Sequence, residues 1–404
     1  MPAFHALRRL ALAAGLATAA TLAAGAEFSV LHAFDDKRPT QPQVPDGTLT
    51  LANDGSGLLY GVSSYGAHPQ GQGFGSIFSV DPQGNMTVLH AFAINRDGAS
   101  PNGGLVQTAD GALWGTSQIG GKLGNGVVFR LRTDGFLEVM HDFDFLDGYT
   151  PTAGLMLAAD GSLWGTTSYG GLGNSGSVFR IDQKGGFSVV HNFGDLPGNG
   201  THPLGRLVQK ADGSVWGTTS YTKVAGATAI GGGTIFRIAP DGTFAMVRSL
   251  SDRRCPVGCR PGAGLTDGGD GWLYGTLTVG GPLGGGTVVR IDDGGSMEIV
   301  HAFKSAPSLD GALPFGDLLR ASDGSLLGTT WSGGAKTSAQ GPGTVFRIGA
   351  DGRYAQLHVF KCLKEGCATH AGLVETAPGT YAGTTPTFAA SITQGGTVWQ
   401  LTDR

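Results

Sequence analysis

The chain has 404 residues, of which 72 are glycine, 40% are apolar and only 14% are charged. That composition excludes a helical bundle, and the short, regularly spaced apolar runs exclude disorder. The formal net charge of -4 gives no electrostatic reason to expect a nucleic-acid partner.

In chain order, the first segment is a processing signal. Arg8 and Arg9 precede an apolar stretch from Leu10 to Ala24, and Ala24-Gly25-Ala26 forms a small-residue cleavage site before Glu27. The stretch is too short and small-sided for a good membrane span. Residues 1–26 are therefore expected to be removed. No hydrophobic tail follows Gln400, so a secreted or periplasmic protein without a C-terminal anchor is expected.

From 27 to 404 the sequence repeats, and one domain is expected. Aligning on the glycine of a Leu-Trp-Gly-Thr core gives Gly61, Gly115, Gly165, Gly217, Gly275, Gly328 and Gly383, with a period of roughly 50–60 residues. Each unit offers four strands. A Leu-rich strand (Leu155–Ala158 in the third unit) turns through Asp160-Gly161, which suits a tight hairpin, into the Leu-Trp-Gly-Thr strand. A third strand, Val178–Ile181, and a fourth, Val189–Phe193, complete it; β-branched and aromatic residues dominate, as pleated surfaces prefer. The termini are complementary, because Phe28–Phe34 reads as a fourth strand without its first three. Thr397–Leu401 reads as a third strand without its fourth. The predicted fold is an all-β, seven-bladed propeller of four-stranded blades, closed by the N-terminal strand in the last blade, so that no edge is left open.

The pattern DG-x-LWGTTSYGG…G-x-VFRI…VLHAF resembles the GloVer tandem repeat of secreted bacterial proteins, which overlaps the extracellular HAF repeat. The resemblance covers residues 28–403 and implies an extracellular or surface-associated repeat protein of undefined activity.

Most of the conspicuous residues have structural explanations. His32, His90, His141, His191, His301 and His358, with Arg248 in the remaining unit, sit on outermost strands; a ring around the perimeter cannot converge on one ion. Tyr60, Trp114, Trp164, Trp216 and Tyr274 have the phase of blade-to-blade packing. Gly171, Gly173 and Gly176 spell a dinucleotide fingerprint, but a strand follows instead of a helix. Four cysteines in an exported chain suggest local disulfides, Cys255–Cys259 and Cys362–Cys367. Asp142, Asp144 and Asp147 are weak calcium candidates, since the same Asp-Gly-x-x-Pro pattern recurs at Asp97–Pro101 and Asp310–Pro314 as turn chemistry. No other metal and no cofactor is expected.

The tight hairpins of all blades lie on one face, which leaves the longer, variable connections on the other. Variable loops on a rigid ring are where propellers place function. The binding candidates there are Tyr65, Phe145, Tyr149, Tyr169, Tyr221 and Trp331. His202 and His370 stand outside the repeat and look isolated, as does His68. These observations lead to the expectation of a monomeric, non-catalytic extracellular binding or scaffold module for a polysaccharide or a surface protein. The alternative is a propeller lyase or hydrolase with its site on the variable-loop face.

Overall fold

The computed structural model describes residues 25–35, 38, 40–67, 73–194, 198–223, 230–250, 254–335, 341–386 and 395–403. Residues 1–24 of the processing segment and His68 lie outside these residues.

Seven antiparallel sheets form the ring expected. The third blade is representative, with strands Met156–Leu157, Leu163–Thr167, Ser177–Ile181 and Phe187–Asn192 paired in that order from the axis outward. In the last blade Val374–Ala377, Thr380–Thr385 and Thr397–Thr402 are joined by Glu27–Ala33, which pairs antiparallel with the third strand. Phe28 seals this closure by stacking on His358 with ring centroids 3.9 Å apart, and Phe34 is buried against Phe78 of the first blade.

Each blade buries its two faces against its neighbours. The last aromatic of a fourth strand inserts under the next blade, as Phe143 does edge-on to Phe179 at 5.2 Å. Burying one such side chain is worth about 1.5–3 kcal/mol. The aligned glycines make room for this packing: a Cβ on Gly115 would sit 2.6 Å from Phe129 Cζ and 2.9 Å from Leu105 Cδ2.

The perimeter histidines also hold blades together. His141 stacks on Phe187 of the next blade at 3.5 Å, and His191 does the same on Phe244 at 3.6 Å. Several also meet a carboxylate in the following loop: His90 Nε2 lies 3.0 Å from Asp97, His141 Nε2 2.8 Å from Asp147, and His358 Nε2 2.8 Å from Glu365. The Asp-Gly-x-x-Pro aspartates are thus histidine partners as well as turn residues. Asp142 accepts the Lys122 N–H, Asp144 accepts the Leu146 and Asp147 N–H groups, and Asp147 is taken by His141 and the Asp144 N–H. Each carboxylate of the calcium candidate loop therefore serves a different hydrogen bond. Among the described residues no group of three or more ligating side chains converges on a metal position.

Cys255 and Cys259 form a disulfide. The second expected bridge is corrected: Cys362 and Cys367 stand as thiols, at the start of a one-turn helix (Cys362–Glu365) and just after it. The neighbouring Cys367 thiol pulls the Cys362 pKa down. No helix among the described residues is long and apolar enough to cross a membrane.

Candidate functional site

The inner strands carry a feature the repeat alignment passes over. Each arrives from the variable face through a Pro-x-(Gly/Ala)-x-Leu segment, or its Thr-led equivalent. These are Pro45–Leu49, Pro101–Leu105, Pro151–Leu155, Pro203–Leu207, Pro261–Leu265, Pro314–Leu318 and Thr369–Leu373. In the first, second and sixth blades the strand is interrupted at this segment, as between Pro42–Pro45 and Thr50–Leu51. Its backbone lines the central channel. Small middle residues let the blades meet at the axis; a Cβ on Gly103 would lie 2.5 Å from the Ala153 backbone.

The channel opens on the variable face as a cavity of about 350 Å³. The residue after the proline is the first to face it, and that residue differs in every blade: Asp46, Asn102, Thr152, Leu204, Gly262, Phe315 and His370. Two steps deeper the lining includes Thr48, Arg206 and Asp317. At the first of these two positions the copies disagree completely on an otherwise uniform frame.

Asp46 and His370 face each other across the seam between the first and last blades, with Oδ1 to Nδ1 at 3.6 Å. The Asp46 side chain is 15% exposed, and its Oδ1 is buried without a hydrogen-bond partner among the described residues. The imidazole is held on its other sides by Phe315, edge-on at 4.8 Å, and by Trp331, stacked at 5.9 Å. Deeper in the channel, Asp317 accepts the Gly264 N–H at 2.7 Å. Its enclosure raises the carboxyl pKa above the ordinary range, against the opposing pull of that N–H and of the Arg206 charge.

The six aromatic candidates divide. Phe145, Tyr149, Tyr169 and Tyr221 belong to one row on the rim: Phe145 stacks on Tyr149 and Tyr149 on Tyr169, both at 5.5 Å. His202 continues it, edge-on to Tyr169 at 4.7 Å and to Tyr221 at 5.5 Å, and burial lowers the His202 pKa. The structure places Trp331 elsewhere, beside His370, and leaves Tyr65 56% exposed with no ring contact among the described residues. Neither His202 nor His370 is isolated. Sequence reasoning missed Asp46, Asn102, Arg206 and Asp317; the signal was the variation one and three residues after a recurrent proline, in segments that resemble ordinary turn chemistry.

Among solved structures, streptogramin B lyase is similar over 94% of this chain and 99% of its own, at 16% identity and a TM-score of 0.59. A protein of unknown function from Dyadobacter fermentans covers 94% of this chain and 100% of its own, at 13% identity and a TM-score of 0.51. A gluconolactonase from Xanthomonas campestris covers 90% and 98%, at 16% identity and a TM-score of 0.45. At these identities the likeness concerns the fold. No curated protein matches the sequence at a significant level. The expectation of a non-catalytic binding or scaffold module is corrected here: streptogramin B lyase, on the same fold, favours the alternative reading taken up below. The misplaced premise behind it was that His370 had no partner. Matches to the model of the Gloeobacter/Verrucomicrobia repeat span residues 13–230, 157–340 and 198–399, nearly the whole length, and the chain belongs to that family.

Proposed function

We propose that the protein is a secreted propeller enzyme, a lyase or hydrolase, that works at the variable-face mouth of its central channel. The observation that carries this reading is the Asp46–His370 pair. A neutral imidazole whose Nδ1 is turned to a carboxylate has its tautomer and orientation set, and its Nε2 is then the nitrogen able to take a proton. Asp46 also stabilises the imidazolium that results. At 3.6 Å the pair is looser than a hydrogen bond, and catalytic contacts of this kind commonly tighten around substrate. Phe315 and Trp331 fix the ring plane and keep water from that side.

Asp317 supplies a second titratable group of opposite tendency in the same channel. A carboxyl with a raised pKa can remain protonated and return a proton to a leaving group, while His370 acts as base. The lyase with the same fold supports the reading by showing that this scaffold carries bond-breaking chemistry. The Cys255–Cys259 disulfide is compatible with an extracellular site of action.

The test is turnover. The mature chain and its His370→Asn and Asp46→Asn variants are assayed against ester, lactone and polysaccharide panels. His370→Asn is expected to lower kcat by about 10²–10⁴-fold, and Asp46→Asn to lower it less. A correctly folded His370→Asn protein with undiminished turnover would rule the reading out.

A further inference from the structure

The side of the mouth opposite Asp46 and His370 has its own character. In each blade the residue just before the inner-strand Pro or Thr has a positive φ of 51–57°: Val44, Ser100, Thr150, His202, Arg260, Leu313 and Ala368. Non-glycine residues reach that region only at a cost. Their N–H groups reach back to the preceding blade, as His202 does to Ser175 O at 2.9 Å and Thr150 to Asn125 O at 3.0 Å. A chain with 72 glycines uses none at these seven positions. The fold thus keeps one side chain per blade on the rim despite the strain, and blades four and five place His202 and Arg260 there.

Arg260 is exposed, and its guanidinium lies 5.5 Å from the centroid of the Tyr221 ring. Arg206, on the inner strand of the fourth blade, is exposed inside the channel. Neither has an ion-pair partner among the described residues. The arginines of the third strands behave differently: Arg130, Arg180, Arg237, Arg290 and Arg347 each hold a carboxylate. Two cations outside any ion pair among the described residues therefore stand on adjacent blades beside the aromatic row, Arg206 with only the more distant Asp317 carboxyl in its field. That row keeps open ring surface, with Tyr169 40% and Phe145 52% exposed.

We infer that the substrate is an acidic glycan, a polysaccharide whose carboxylates are taken by Arg206 and Arg260 while its sugar rings pack along Tyr221, Tyr169 and Phe145. Guanidinium groups match carboxylates in a planar, two-pronged fashion. Aromatic faces suit the C–H faces of pyranose rings. A nucleic acid is a poorer fit, because its affinity comes from neutralising many phosphates and the molecule as a whole is acidic. The inference rests on the proposed site at His370 for the reaction, and uses the opposite wall for recognition.

Binding and turnover separate the two. Immobilised polygalacturonate, alginate and hyaluronate, each beside its carboxyl-reduced counterpart, are titrated with the mature chain and with Arg206→Gln, Arg260→Gln, Tyr169→Ala and His370→Asn variants. The expected result is retention on at least one acidic polymer and at least tenfold weaker retention on its reduced form. Each arginine variant should weaken binding about tenfold and Tyr169→Ala less, while His370→Asn binds like wild type. Failure of all three polymers to bind, equal binding to reduced forms, or arginine variants that bind normally would overturn the inference. Loss of turnover in His370→Asn with unchanged acidic-glycan binding leaves both readings standing; normal turnover there removes only the catalytic one.

Discussion

His370 Nδ1 and Asp46 Oδ1 approach to 3.6 Å across the joint where the ring closes. The same joint is crossed by the Gly372 N–H donating to Thr48 Oγ1 at 2.9 Å and by Thr384 Oγ1 donating to Gly47 O at 3.3 Å. Glu27–Ala33 completes the last sheet, and the chain runs from it directly into the first blade. The candidate site therefore lies on the joint that closes the ring.

Removing residues 27–34 should disable both. Phe34 loses its buried place, the stack of Phe28 on His358 disappears, and Thr397–Thr402 becomes an open edge. With two aromatic side chains and a strand pairing gone, the loss should exceed about 5 kcal/mol. Calorimetry of the shortened chain should show a lower and broader transition; a sharp transition at the wild-type Tm would contradict the role assigned to the strand.

The aligned glycines provide an internal comparison. Gly115→Ala should cost about 1–3 kcal/mol, because the new methyl meets both Phe129 and Leu105. In the fifth blade Val289 stands in place of the phenylalanine, and a Cβ on Gly275 meets only Leu265 Cδ2 closely, at 2.8 Å. Gly275→Ala should therefore cost the less of the two. Urea titrations of both variants check the order, and the reverse order would refute the packing argument.

Asp317 makes a pH prediction with a definite sign. Its folded-state pKa is raised, so the native protein holds this proton more tightly than the unfolded chain does. Stability contributed by the group is present below its ordinary pKa and falls as pH rises through the folded value. Asp317→Asn keeps an oxygen for the Gly264 N–H and removes the buried charge. Its Tm should exceed that of wild type at pH 7, and the two should converge near pH 4. A variant less stable than wild type at pH 7 would show that the ionised carboxylate is favourable where it stands.

The cysteines predict a count. With Cys255–Cys259 bridged and Cys362 and Cys367 as thiols, denatured protein purified under non-reducing conditions should titrate two thiols per chain. Peptide mapping should find the one bridge closing the short loop before the fifth blade. A count of zero would mean that Cys362 and Cys367 also join.

The fold was legible because its determinants are local and repeated. An Asp-Gly turn, an alternating strand and a glycine beside a large ring each specify structure within one unit, and seven copies reinforce the same reading. Even closure could be read, since a lone fourth strand at one end answers a missing one at the other. The perimeter histidines were rightly assigned to structure for the same reason.

The site was not legible in that way. Asp46, Phe315, Trp331 and His370 come from three blades at opposite ends of the chain, and nothing in their spacing announces a meeting. Asp46, Phe315 and His370 each follow a recurrent proline or its threonine equivalent, where turn residues are commonplace, so in sequence Asp46-Gly47 is indistinguishable from an ordinary Asp-Gly turn. Sequence by itself determined the blade, the number of blades and how the ring shuts, because short-range turn and packing preferences suffice for those. Only the tertiary structure decided that the variable residue at the head of each inner strand faces a shared channel, because a ring alone brings its first and last members into contact.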